Sequence, residues 1–106
     1  MAKVELDIAR NVRTIEWLKA ELVGGIGSLF KALIKDSEES ILDSLANVVV
    51  ACYLLGKRLG VGFSRLDLKV EQKVTANINK VHEIEKWYGD FTALQYYLAE
   101  RHGEQV

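Results

Sequence analysis

Apolar residues recur at steps of three and four through the first third of the chain: Ile8, Val12, Ile15, Leu18, Leu22, Ile26, Leu29 and Leu33. That spacing lines one face of an α-helix and predicts a helix over about residues 7–35. Such a length is unusual for one globular helix, so the pattern points to a break or kink near residues 14–16 or at the glycines.

The next four residues, Asp36-Ser37-Glu38-Glu39, read as a helix start. Asp36 is placed to cap the free amides, with Glu39 three residues on as a capping box requires. The helix then runs from Glu38 to about Leu59, with Lys57 and Arg58 in its last turn and Gly60 as its C-terminal glycine. From Leu45 to Leu55 it is apolar almost all round, Asn47 excepted, which predicts the central and most buried helix. After the Gly60-Val61-Gly62 turn, Ser64 is expected to cap a third helix reaching about His82, with Leu66, Val70, Val74, Ile78 and Val81 on its face. A short helical stretch near residues 83–87 follows. Tyr88-Gly89-Asp90 breaks the chain, and Asp90 is expected to cap a last helix through Arg101. The fold class this predicts is an all-α bundle of four to five helices in one domain, with residues from about 84 onward as a helical extension.

Gly24, Gly25 and Gly27, with Ser28, interrupt the first helix. Each interior glycine costs roughly 0.5–1 kcal/mol relative to alanine. Such small residues predict close approach of another helix, so the Gly24/Gly25/Ser28 face is expected to be a tightly packed seam.

Composition narrows the function classes. The 106 residues are 49% hydrophobic and carry a formal net charge of -1, which speaks against an electrostatic nucleic-acid binder. A concentrated basic stripe of the kind that binds membrane surfaces is missing, and the apolar run at 48–55 is too short to span a bilayer. There is no proline, which favours helices joined by short connections. The single cysteine, Cys52, is expected to be a buried small hydrophobe in a reducing compartment. With acidic residues near the N-terminus where a secretory signal needs an apolar core, these features predict a cytoplasmic protein.

Residues 22–33, L-V-G-G-I-G-S-L-F-K-A-L, resemble the first motif of the MazG-like, all-α nucleoside triphosphate pyrophosphatase family, L-V-E-E-V-G-E-L-A-E-A-L. Leu22, Val23, Gly27, Leu29, Ala32 and Leu33 match it, and Ile26 is conservative. The glutamates of E-E-x-x-E fall on Gly24, Gly25 and Ser28. The second motif, E-x-x-D within E-E-L-A-D-V-L, is similar to residues 43–49, where Leu45 and Ala46 match but Ser44 and Asn47 replace the acids. Residues 73–80 are similar to the helix that turns basic and amide groups toward the nucleotide, which puts Lys73, Asn77 and Lys80 in that role; a solvated helix face is the other reading.

The resemblance implies a MazG-like bundle completed by homodimerisation or a higher homo-oligomer, with a nucleotide as ligand, while the charge balance and the short apolar run predict no nucleic-acid or membrane partner. In the family, carboxylates at i, i+1 and i+4 of one helix and at i and i+3 of a facing helix cage Mg²⁺, a hard cation that takes anionic oxygen ligands. Glycine, serine and asparagine cannot assemble that cage. The resemblance therefore predicts a pyrophosphohydrolase fold with weak or no hydrolysis and no cofactor. Two alternatives stand beside it. One is an active Mg²⁺-dependent enzyme using relocated ligands from Glu21, Glu38, Glu39 and Asp43, although those near 38–43 also suit helix capping. The other is a helical dimerisation module with no small-molecule ligand.

Asn47 reads as a buried amide, either a relic of the family aspartate or a register-fixing polar group. His82 and His102 have no second ligand at a recognisable spacing, so no zinc site is expected. Trp17, Trp87, Tyr88, Tyr96 and Tyr97 read as core or interface anchors, with base stacking as the alternative.

Overall fold

The structure, a computed structural model, describes residues 2–80 and 83–104. It is all-α: α1 (Ala2–Lys35), α2 (Glu38–Arg58), α3 (Phe63–Asn79), α4 (Glu83–Tyr88) and α5 (Asp90–Glu104), with no strand among the described residues. The expected third helix end at Val81 and His82 lies outside the described residues. The chain divides into two compact units, one up to Phe63 and one from Ser64 onward, where the sequence predicts one domain with an extension from about residue 84.

The first unit is an antiparallel helical hairpin. α1 runs unbroken through residues 14–16 and through its glycines, in place of the expected kink. Its seam toward α2 is Asn11, Ile15, Leu18, Leu22, Gly25, Leu29 and Ala32; the α2 side is Ile41, Ser44, Val48, Ala51 and Leu55. Both series advance by alternating steps of three and four, the spacing of a coiled-coil seam. At the far end the Asn11 side-chain amide donates to the carbonyl oxygen of Arg58 at 3.3 Å, so α2 pairs along its whole length with α1 from Asn11 onward, and residues 2–10 of α1 extend beyond it.

This seam corrects two expectations. Of the apolar positions predicted to share the core face of α1, Ile15, Leu18, Leu22 and Leu29 do face α2, whereas Ile8, Val12, Ile26 and Leu33 are exposed. They form, with Phe30, a second apolar stripe on one flank of the seam by helical spacing. Nor is the apolar cylinder of α2 buried all round. Leu45, Val49, Val50 and Leu54 are exposed, because a single neighbouring helix can cover only one stripe of an apolar cylinder.

The turn is closed differently from the expected capping box. Ser37, not Asp36, is the N-cap of α2: its hydroxyl accepts from the Ser40 amide at 3.3 Å. Asp36 takes the left-handed conformation (φ 52°) that joins the helices, which aspartate tolerates better than most residues. At the other end, Gly60 (φ 92°) donates to Lys57 and Val61 donates to Gly56, the paired bonds of a Schellman turn. The Phe63 ring then packs edge-on to Tyr53 at 5.9 Å between centroids, with the Lys57 ammonium 5.2 Å from its centre.

In the second unit, Val74 of α3 and Leu98 of α5 are buried. Leu66 and Ile78 are half-buried, while Val70 of the expected face is exposed. Ser64 lies inside the first turn of α3 and does not precede it as a cap. Glu85 supplies the acceptor for α5 that Asp90 was expected to provide.

Candidate functional site

Helical spacing sorts the five family-motif positions into two groups. Gly25 and Ser44 lie in the hairpin seam, and Ser44 is only 6% exposed. A Cβ at Gly25 would sit 3.1 Å from Val48 Cγ2, so α2 approaches closely at this one glycine. Gly24, Ser28 and Asn47 lie on the flank opposite the exposed apolar stripe, and all three are exposed. Nothing stands within 4 Å of a Cβ built at Gly24 or Gly27. The expected tight seam is therefore confined to Gly25. Asn47 is likewise not the buried amide that its apolar neighbours implied.

Ser28 and Ser44 line a common hollow of about 280 Å³, together with Lys31, Lys35, Ser40 and Asp43. Here the geometry joins the two motif segments as the resemblance implies, but the chemistry is changed. The lining holds three hydroxyls, two ammonium groups and one carboxylate. Mg²⁺ requires several hard anionic oxygens in near-octahedral arrangement, and this donor set does not fit it. Among the described residues, Glu21, Glu38, Glu39 and Asp43 included, no three His, Cys, Asp or Glu side chains gather so as to hold a metal ion. Of that acidic set only Asp43 lines the hollow.

Lys73 and Lys80 are exposed, and the Asn77 side-chain amide is spent on its own helix, donating to the Lys73 carbonyl at 2.9 Å. A second hollow, of about 310 Å³, lies between α3 and α5, where the Gln95 amide reaches the Thr75 hydroxyl at 3.2 Å. Its walls include Glu71, Val74, Thr75 and Leu98, not those three residues.

Two polar devices in the second unit were invisible in the sequence. His102 stands between carboxylates of α3, with Nδ1 2.6 Å from Glu71 Oε1 and Nε2 3.4 Å from Asp67 Oδ2. Arg101 approaches the same Asp67 oxygen at 3.6 Å. The i, i+4 spacing of Asp67 and Glu71 was readable, but the partner came from 31 residues beyond Glu71, as the numbering of 71 and 102 gives. The Glu85 carboxylate accepts the Phe91 amide at 2.9 Å, the Thr92 amide at 3.1 Å and the Thr92 hydroxyl. That hydroxyl bond is the largest cause of a Glu85 pKa below the ordinary carboxylate value; burial opposes it and the two amides reinforce it.

Cys52 is exposed on α2, correcting the expectation that it is buried. It follows Ala51 of the seam and lies two turns after Leu45, on the same flank of α2 by helical spacing. Trp17, Trp87, Tyr88, Tyr96 and Tyr97 are all exposed and anchor no core in this chain. His82 lies outside the described residues.

Comparison with known proteins gives one family: the sequence model of the MazG-like family matches residues 8–91. No curated protein shows significant similarity to the chain. No solved structure does either.

Proposed function

The chain belongs to the MazG-like family, and from that premise we propose that it is a hydrolytically silent member, retained as a homodimeric binding or regulatory module. One observation carries the reading. At the convergence of the two motif segments, Gly24, Gly25, Ser28, Ser44 and Asn47 offer no carboxylate, and Lys31 and Lys35 add positive charge beside Asp43. A cation would be repelled there as well as poorly ligated.

The second copy is assigned to the exposed apolar flank of the hairpin. Ile26, Phe30 and Leu33 of α1 and Leu42, Leu45 and Val49 of α2 lie on that side by helical spacing, and Phe30 is 62% exposed. Removing such a side chain fully from water stabilises by about 1.5–3 kcal/mol, enough in sum to drive association of two hairpins. α2 is also long and apolar enough to cross a membrane by length and composition. A span would place Asp43 and Asn47 in lipid, whereas a dimer through the apolar flank leaves them in water. A single cysteine, which leaves no internal disulfide to form, supports a reducing, cytoplasmic setting.

The test is titration of the full chain with Mg²⁺ and Mn²⁺ by calorimetry. No saturable site in the micromolar to millimolar range is expected. A saturable site that disappears in Asp43→Asn would favour the relocated-ligand enzyme instead.

A further inference from the structure

We infer that the hollow walled by Ser28, Lys31, Lys35, Ser40, Asp43 and Ser44 is a metal-independent binding site for a phosphate oxyanion of about pyrophosphate size. The inference rests on the hydrolytically silent reading, since it puts lysines and hydroxyls where a metal would otherwise mediate phosphate contact.

Placement supports it first. Ser28, Lys31 and Lys35 share one flank of α1 at i, i+3 and i+7, and Ser40, Asp43 and Ser44 share the facing side of α2 at i, i+3 and i+4. The two helices thus present donors toward one open surface hollow from both sides. The three hydroxyls can each donate a hydrogen bond, and lysine ammonium groups bind phosphate as point charges with three donors each. Lys31 stands where the quoted family pattern has its last glutamate, so the charge on this wall is inverted and not merely lost.

Charge balance supports it next. Two lysines face one aspartate in the lining, and no ion pair engages either Lys31 or Lys35 among the described residues. Glu38 and Glu39 belong to the same end of the hairpin but do not line the hollow. Volume sets the ligand: about 280 Å³ is at the lower limit of small-molecule sites, roughly 300–1,000 Å³. A phosphate chain of one or two groups fits within these walls, and a nucleoside attached to it would extend into solvent without further contact from the lining.

The test is calorimetric titration of the full chain with inorganic pyrophosphate, in EDTA and at low salt, with ATP as a second arm. Saturable binding is expected, weakening as salt rises. The Lys31→Gln/Lys35→Gln variant should lose about tenfold or more in affinity, as expected on removing two charge-assisted contacts. Both lysines are exposed, so the hairpin should keep its helicity, checked by circular dichroism. Asp43→Asn should bind several-fold tighter, a gain that unfolding cannot mimic. ATP should bind no more tightly than pyrophosphate. Absence of saturable pyrophosphate binding, an affinity indifferent to the lysine pair, or binding of ATP without pyrophosphate would each overturn the assignment. With EDTA present throughout, such failure leaves the hydrolytic question untouched, and turnover with Mg²⁺ is scored in its own assay.

Discussion

Gly25 and Val48 meet across the hairpin seam so closely that a Cβ on Gly25 would lie 3.1 Å from Val48 Cγ2. Gly24, its neighbour, faces open space. Position 25 therefore resists refilling while position 24 does not. Gly24→Ala and Gly27→Ala should each stabilise the protein by about 0.5–1 kcal/mol, the ordinary helix-propensity gain. Gly25→Glu should destabilise it by about 1–3 kcal/mol, as overpacked seams do. Urea unfolding decides between the sites. Equal stability of Gly24→Glu and Gly25→Glu would show that the seam is not closed at Gly25.

The apolar flank predicts a dimer that one charge can dissociate. Phe30→Asp or Leu45→Asp should shift sedimentation equilibrium from dimer to monomer at low micromolar concentration, because each places a carboxylate in a desolvated contact. Leu54→Asp, on the other flank of α2 by helical spacing, should have less effect. A wild-type chain that remains a folded monomer would refute the interface, and partition of the chain into detergent or vesicles would point to a membrane instead.

Glu85 gives the second unit a defined acid response. Its pKa is lowered in the folded state, so the unfolded chain binds the proton more readily. The stabilisation is fully present above the unfolded carboxylate value and is lost as pH falls through the lower folded value. The amide resonances of Phe91 and Thr92 should titrate together, with a midpoint below that of an ordinary glutamate. Glu85→Gln should remove the transition and increase hydrogen exchange at the start of α5. A midpoint at or above the ordinary value would contradict the capping role.

His102 ties the end of α5 to the start of α3 through Glu71 and Asp67. Partly exposed pairs of this kind contribute about 0.2–1 kcal/mol. His102→Ala should therefore raise amide exchange in α5 by a few-fold and leave the α1–α2 hairpin unchanged. Uniform loss of protection across both units would show that the contact supports more than its own unit.

Helix positions were legible because three-and-four spacing is local information. The Gly60 turn was legible too, since glycine alone enters φ 92° without strain. What local pattern could not decide was which of two apolar stripes on α1 meets α2. Leu18 and Ile26 both fit a helical series, and only the register opposite Val48 and Ala51 separates core from surface. The choice of Ser37 over Asp36 as cap turned on backbone conformation, not residue type. The motif segments at 22–33 and 43–49 were readable by resemblance, but the lysine-lined hollow needed both helices in place. Glu85 and His102 took their roles from partners beyond one helical turn, where periodicity carries no signal.

Pyrophosphate release from a panel of nucleoside triphosphates, deoxy and oxidised forms included, with Mg²⁺ and with Mn²⁺, bears most directly on the claim of hydrolytic silence. The account predicts no turnover above the protein-free reaction, since Gly24, Gly25, Ser28, Ser44 and Asn47 provide no carboxylate to hold the metal. Metal-dependent turnover that is abolished by Glu38→Gln or Asp43→Asn would contradict it.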